Sequence, residues 1–319
     1  MRKILVTGGA GFIGSHLVDA LLERGDEVVV LDNFITGKRE NLAAHAGNPF
    51  FSLIEGDIRD FDVCRRAVAG CTGVLHEAAL GSVPRSMENP RLTWEINAQG
   101  FVNVIEAARQ AGVKHFVYAS SSSVYGDDPR MPKREEFIGA ALSPYAASKQ
   151  NNETVADLYR RVFGFSSIGL RYFNVFGARQ DPAGAYAAVI PKFAAALLKH
   201  RSPVINGDGS FSRDFTYVAN VVRANLLALE APELHLVCNV ACGKETTLNE
   251  LFAALRAELS VSDPAVAAVE AEYGPERAGD IPHSLASVDK AERFLGYVPE
   301  FGVREGLARA ALWYCGHLN

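Results

Sequence analysis

The stretch Val28-Val29-Val30-Leu31 is apolar at every position. A strand with no polar face must be covered on both sides, which is the condition of a parallel sheet flanked by helices rather than of a half-wetted hairpin. Short β-branched runs recur at Lys3 to Thr7, Glu27 to Leu31, Phe51 to Glu55, Gly73 to His76, His115 to Ser120 and Ser166 to Arg171. Helical patterns fill the intervals, for example Phe12 to Arg24, Asp60 to Ala69 and Leu92 to Ala111. This alternation predicts an α/β fold, a doubly wound parallel sheet with helices on both faces.

After about Asn174 the texture changes. Gly177, Asp181-Pro182, Gly184, Gly207-Asp208-Gly209 and Gly274-Pro275 punctuate shorter elements, which predicts a first domain over residues 1–175 and a smaller region over 176–319, partly interleaved with it. The 32 basic side chains against 37 acidic ones leave a net charge of -5, no field for a phosphate backbone, so nucleic acid is not expected as a partner. Five cysteines, at 64, 71, 238, 242 and 315, contain no Cys-x-x-Cys pair and share no zinc-ligand spacing with the eight histidines. Cys238 and Cys242 therefore read as packed thiols, and no metal is expected. No leader-like segment precedes the first strand, and no apolar run approaches the roughly 20 residues that span a bilayer. The expectation is a reduced, cytoplasmic protein without membrane contact.

Directly after the first strand, Thr7-Gly8-Gly9-Ala10-Gly11-Phe12-Ile13-Gly14 opens a helix. Glycine is needed where backbone turns sharply and approaches a pyrophosphate, and the helix start then offers its free N–H groups to the anion. Asp32 ends the second strand 18 residues beyond Gly14, where a carboxylate can accept ribose hydroxyls and repel a 2′-phosphate. Loop, strand and carboxylate in register point to NAD rather than NADP; a chance glycine turn followed by a solvated aspartate is the bland alternative. Asp57, in Gly56-Asp57-Ile58, suits either an adenine contact or an ordinary turn.

A second cluster lies in Ser143-Pro144-Tyr145-Ala146-Ala147-Ser148-Lys149. Serine suits an N-cap and proline the first helical position, so Tyr145 falls in the first turn with Lys149 four residues on, on the same helix face. A phenol of pKa near 10 is a poor base at neutral pH, and nearby positive charge, from Lys149 or an oxidised nicotinamide, is expected to lower it. A Tyr-x-x-x-Lys spacing can arise by accident. Here it accompanies Ser120-Ser121-Ser122-Ser123-Val124-Tyr125-Gly126 after the fifth strand, at the sheet edge where open α/β folds bind ligands.

With these motifs the chain resembles the extended short-chain dehydrogenase/reductase family, whose sheet is of Rossmann type, and within it the UDP-hexose 4-epimerases. The likeness also rests on Leu31-Asp32-Asn33, Asn97-Ala98-Gln99-Gly100, Arg171-Tyr172-Phe173-Asn174-Val175-Phe176-Gly177 and Ser212-Arg213-Asp214-Phe215. It is strongest to bacterial UDP-N-acetylglucosamine 4-epimerases, through Ala78-Ala79-Leu80-Gly81-Ser82-Val83-Pro84-Arg85-Ser86, Arg179-Gln180-Asp181-Pro182 and Ala185-Tyr186-Ala187-Ala188-Val189-Ile190-Pro191. Gly81 replaces the lysine usual in galactose-type enzymes.

The resemblance implies tightly bound NAD held by Gly8, Gly11, Phe12, Ile13, Gly14, Asp32, Asn33, Phe34, Thr36, Gly37, Asp57, Ile58, Ala78, Ala79, Asn97, Tyr145, Lys149 and Phe173. It implies a UDP-sugar held by Gly81, Ser82, Ser123, Asn174, Ala188, Val189, Asn206, Arg213, Arg277, Asp280 and Ser284 in the C-terminal region. Tyr145, with Ser121 or Ser122, would take the proton from the sugar O4 while hydride leaves C4; the 4-keto sugar turns over and hydride returns to its other face. Ser284 occupies a size-gating position, where serine leaves room for a 2-acetamido group that a bulky tyrosine would exclude. The implied activity is interconversion of UDP-GlcNAc and UDP-GalNAc, with weaker action on UDP-glucose and UDP-galactose.

Competing readings are weaker. A dehydratase of this family carries an Asp-Glu pair where Ser122 and Ser123 stand, and a decarboxylase a glutamate in the same region. A UDP-uronic acid 4-epimerase remains the runner-up, with Arg85 available to a carboxylate, and an NAD-sensing module would have no use for the Tyr145–Lys149 pair. The helices at Leu92 to Ala111 and Tyr145 to Phe163 are apolar on more than one face, and the resemblance implies a homodimer joined by a four-helix bundle of them.

Overall fold

The computed structural model describes residues 2–182, 188–276 and 282–318. Seven strands make the central sheet: β1 Lys3–Thr7, β2 Glu27–Asp32, β3 Phe51–Glu55, β4 Gly73–His76, β5 His115–Ser121, β6 Ile168–Tyr172 and β7 Leu236–Val240. Their order is β7-β6-β5-β4-β1-β2-β3, with every neighbouring pair parallel. This is the doubly wound Rossmann-type arrangement the sequence predicts. The order reverses between β1 and β4, so a crevice opens there at the carboxyl edge of the sheet.

The all-apolar strands are explained by the two cores they feed. Val28 and Val30 point to one face, packing with Leu17, Val18 and Leu21 of α1 (Phe12–Glu23) and with Val221, Ala224 and Ala228 of a helix in the second half. Val29 and Leu31 point to the other, against Val63 and Cys64 of α2 (Phe61–Val68), Phe101, Val104 and Ile105 of α3 (Gly100–Gln110) and Ala156 and Tyr159 of α4 (Pro144–Phe163). Neither face meets water, so neither tolerates a polar alternation.

Two elements add to the sequence expectation. The helix read from Leu92 to Ala111 runs without a break from Pro90 to Gln110, but it carries a π bulge: Pro90–Trp94 is α-helical, Glu95–Gln99 forms a π turn, and α3 follows. Gly100 sits where a Cβ would come within 2.5 Å of Ile58, so the helix approaches that loop at contact distance. The seventh strand has no counterpart in the six read from sequence. Residues 218–240, comprising α6 (Val218–Glu230) and β7, return from the second half to complete the sheet, and Cys238 lies fully buried there. α5 precedes them at Val189–Leu198.

The remaining C-terminal residues build their own core. Phe176, Ile190, Phe193, Leu251, Leu255, Leu307 and Tyr314 pack between α5, α7 (Leu248–Ser260) and α8 (Val303–His317). Short paired strands at Val175–Phe176 with Thr216–Tyr217, and at Val204–Asn206 with Glu272–Gly274, frame a second opening beside the sheet edge. No helix among the described residues is long and apolar enough to cross a membrane.

Candidate active site

The glycine loop makes a backbone-lined cradle. Gly8 has φ 71°, donates its N–H to Leu31 O at 2.8 Å, and a Cβ on it would lie 2.8 Å from the Ala78 backbone. A Cβ on Gly14 would lie 2.2 Å from Gly8 O, so the second glycine is as obligatory as the first. Gly11 is the N-cap of α1 and has no side chain to satisfy its N–H groups, which leaves the positive end of the helix for an anion. Gly8, Gly11, Phe12, Ile13, Gly14, Asp32, Asn33, Thr36, Ile58, Ala78, Ala79 and Gly81 all line this one cleft. Asp32 is held by the N–H groups of Ala10 (2.9 Å) and Phe34 (2.8 Å), while burial pushes its carboxyl above the ordinary value. An anion cradle at one point and an oriented carboxylate at the end of β2 fit a dinucleotide.

Several expected contacts lie behind the cleft wall. Phe34, at φ 58°, serves Asp32 through its N–H, and Gly37 stands where a Cβ would come within 2.9 Å of Asp32 Oδ1. Asp57 accepts from Arg59 Nη2 (2.7 Å) and Asn33 Nδ2 (2.8 Å), the guanidinium first among the causes that bring its carboxyl down to about 2. Its carboxylate braces a turn. Asn97, buried on the π turn, bonds through its amide to Leu80 N and O and to Ser148 Oγ. It braces the Leu80 backbone from behind. Phe173 is a correction: its ring is fully buried among Val124, Tyr125, Ala241 and Ala286, and its N–H is taken by Val240 O. Ring and N–H are therefore both committed to the core.

The reacting groups meet at the carboxyl end of β5. Ser143 caps α4 by accepting the Ala146 N–H (3.1 Å), with Pro144 as the first helical residue. Tyr145 follows in the first turn, and Ser121 at the end of β5 is the side chain that favours its ionised phenol. In the chain by itself its phenol is raised above the ordinary value: burial dominates, Ser121 opposes it, and the charge of Glu77 adds to it. Lys149 donates to Ala119 O at 2.7 Å, and burial brings its ammonium down to about 8 against the opposite pull of Glu77 and Glu153. Ser121 Oγ also accepts the Ser123 N–H, Ser122 begins the following 3-10 turn, and Ser123 Oγ is buried without a partner among the described residues.

A second cleft is lined by residues of the second half of the chain. Asn174, Ala188, Val189, Asn206 and Arg213 line it together with Phe176, Phe193, Phe211 and Phe215. Asn174 donates to Asp214 O, and Arg213 Nη1 donates to the backbone carbonyls of Ser212 and Pro282. Apolar walls with an arginine and two asparagines suit a ring system carrying an anionic group. Ser82 has another task, capping the short Val83–Glu88 helix by accepting the Arg85 N–H. Ser284 is half-buried, whereas Arg277 and Asp280 lie outside the described residues.

The profile of the NAD dependent epimerase/dehydratase family matches residues 4–241. The chain belongs to this family. A putative UDP-glucose 4-epimerase of Methanocaldococcus jannaschii is 40% identical over 97% of each chain. A UDP-N-acetylglucosamine 4-epimerase from Methanobrevibacter ruminantium M1, solved in complex with UDP-N-acetylmuramic acid, is 39% identical with a TM-score of 0.92, covering 99% of this chain and 98% of that one. The UDP-glucose 4-epimerase of Thermus thermophilus, solved with NAD, is 38% identical with a TM-score of 0.86 over 99% of both chains.

For a member of the NAD dependent epimerase/dehydratase family, one charged residue at the cleft escaped sequence reasoning, together with the two polar side chains that hold it. Glu77, directly after β4, lines the cleft and accepts a 2.8 Å hydrogen bond from the Tyr172 hydroxyl at the end of β6. Asn225 on α6 donates in turn to that hydroxyl at 2.8 Å. The available signal was position alone: Glu77 follows β4 and its partner Tyr172 ends β6, both at the ligand-binding edge.

Proposed function

We propose that this chain is an NAD-dependent 4-epimerase of UDP-sugars that interconverts UDP-GlcNAc and UDP-GalNAc, with weaker action on UDP-glucose and UDP-galactose. The observation that carries the reading is Tyr145 in the first turn of α4, with Ser121 at the end of β5 acting on its phenol and Lys149 one helical turn on. The family and the likeness to UDP-sugar 4-epimerases support it.

When bound, NAD supplies a hydride acceptor for C4 of the sugar and returns the hydride, so no net redox change results. The chain's own residues do the rest. The start of α1 and the Gly8 to Gly14 cradle hold the pyrophosphate, and Asp32 orients the adenosine ribose. Asn174, Arg213 and the apolar wall of the second cleft hold the UDP portion. Tyr145 accepts the proton of the sugar O4, directly or through Ser121, and gives it back from the same side after the ketone has turned. Lys149, fixed to Ala119 O, presents its charge to the cofactor on the Tyr145 face of α4.

Ser284 supports the acetamido preference, since a small side chain leaves volume for the 2-substituent. The reading is tested by proton NMR of the purified protein with UDP-GlcNAc and no added NAD. The galacto-configured anomeric signal is expected; its absence, with UDP-glucose or a UDP-uronic acid turned over instead, overturns the sugar assignment. In Ser284→Tyr, turnover of the acetylated pair falls at least tenfold while UDP-glucose is still converted. Equal loss on both removes the gate.

The assembly proposed is a homodimer through α4 and its neighbours. Leu158 (44% exposed), Val162 (61%) and Phe163 (51%) lie along α4, and Met87 (62%) and Trp94 (47%) lie on the short helices packed against it. Large apolar side chains this open, gathered on adjoining helices, favour a protein partner over water.

A further inference from the structure

The cleft assigned to NAD is lined by two carboxylates, and only Asp32 has a task in the reaction as described. Glu77 lies at the other end, with the reacting groups. Its carboxylate is held at the cleft by the Tyr172 hydroxyl (2.8 Å), which Asn225 fixes from α6 (2.8 Å). The Glu77 N–H is bound to Thr7 O in the last residue of β1, so both backbone and side chain are anchored. The charged and titratable groups that act with it are Lys149 and Tyr145 of α4 and Tyr172 of β6. Glu77 raises the Lys149 ammonium and the Tyr145 phenol, so its field reaches the place where the phenol meets the sugar. A carboxylate there makes a poor neighbour for a phenolate base. Its presence needs a reason other than assisting Tyr145.

The reason follows from the charge of the cofactor. An oxidised nicotinamide carries a positive charge and the reduced ring is neutral, so a fixed negative charge at that end of the cleft favours the oxidised form. We propose that Glu77 is a positioning residue that holds the retained nicotinamide in its oxidised form, acting as its fixed counter-charge from the Tyr172–Asn225 anchor. An epimerase that stores its own cofactor stalls whenever the ketone escapes and leaves the reduced form behind; Glu77 opposes that state. This inference rests on the NAD-dependent reading above.

The test uses the holoenzyme as purified, wild type and Glu77→Gln. Glutamine removes the charge and keeps an oxygen to accept from Tyr172. Each protein is equilibrated with UDP-glucose and UDP-GlcNAc at pH 8.5, where the hydride leaving C4 reduces the nicotinamide and the O4 proton goes to Tyr145. The bound cofactor is then released by acid or alkali, and the oxidised and reduced forms are each quantified. Glu77→Gln is expected to raise the reduced-to-oxidised ratio about tenfold. Burial lifts the Glu77 carboxyl to about 7, so the difference between the two proteins closes at pH 5.5, where both side chains are neutral. An equal ratio in both proteins at pH 8.5, or a difference that persists unchanged at pH 5.5, overturns the role of Glu77. Absence of any nicotinamide from the wild-type protein overturns instead the cofactor reading on which it rests. Tyr172→Phe, which leaves the charge and frees its anchor, shifts the ratio less than Glu77→Gln; a shift as large would show that packing, not charge, is responsible, and would equally overturn the proposal.

Discussion

Tyr145 stands in an environment that opposes its use as a base. Burial and the Glu77 carboxylate both favour the neutral phenol, and among the described residues Ser121 works the other way. Turnover therefore depends on positive charge brought close to it when cofactor and substrate bind, and Lys149, one helical turn on, is the cation the helix itself can bring. Because burial has lowered the Lys149 ammonium to about 8, it is charged below that pH and neutral above it. Turnover is expected to fall as pH rises beyond about 8, measured as an alkaline limb in the pH–rate profile. Tyr145→Phe is expected to lower turnover by about 10²–10⁴-fold while nicotinamide released on denaturation stays at the wild-type amount. A variant with near-normal turnover would remove Tyr145 from the proton transfer.

At the scale of elements, the site depends on how α4 is fixed to the sheet. Arg171 of β6 and Glu153 of α4 form a two-pronged ion pair, Nε to Oε1 at 2.9 Å and Nη2 to Oε2 at 2.8 Å, with side chains only 4% and 10% exposed. Ser120 Oγ at the end of β5 donates to the same carboxylate at 2.6 Å. One carboxylate thus ties the helix bearing Tyr145 and Lys149 to the strands bearing Ser121 and Tyr172. Glu153→Ala leaves a guanidinium buried without its counter-charge, and chemical denaturation is expected to show a loss of about 3–5 kcal/mol. Loss within about 0.5 kcal/mol would mean the pair contributes little to holding α4. The π turn at Glu95–Gln99 acts on the same scale, since it directs the Asn97 amide into the Leu80 backbone that forms the cleft wall.

At the scale of the whole molecule, the exposed apolar strip on α4 and its neighbouring short helices is the feature a monomer explains least. Leu158→Glu with Val162→Glu places two charges one helical turn apart on that strip. Light scattering at micromolar concentration is expected to give twice the 34.4 kDa chain mass for the wild type and one chain mass for the double variant. A wild-type monomer would end the dimer proposal. The sheet class, the glycine cradle, Asp32 at the end of β2 and the Tyr145–Lys149 spacing were all legible in the sequence, because each depends on residues within a few positions of one another. A two-residue strand period, a four-residue helical period and a glycine that cannot carry a Cβ are local facts of the backbone. The tertiary structure alone decided that residues 236–240 complete the sheet, that Phe173 turns into the core, that burial and Glu77 raise the Tyr145 phenol, and that the Glu77 charge acts on Lys149. Those outcomes depend on burial and on charges brought together from distant parts of the chain, and no local pattern records which distant group will arrive.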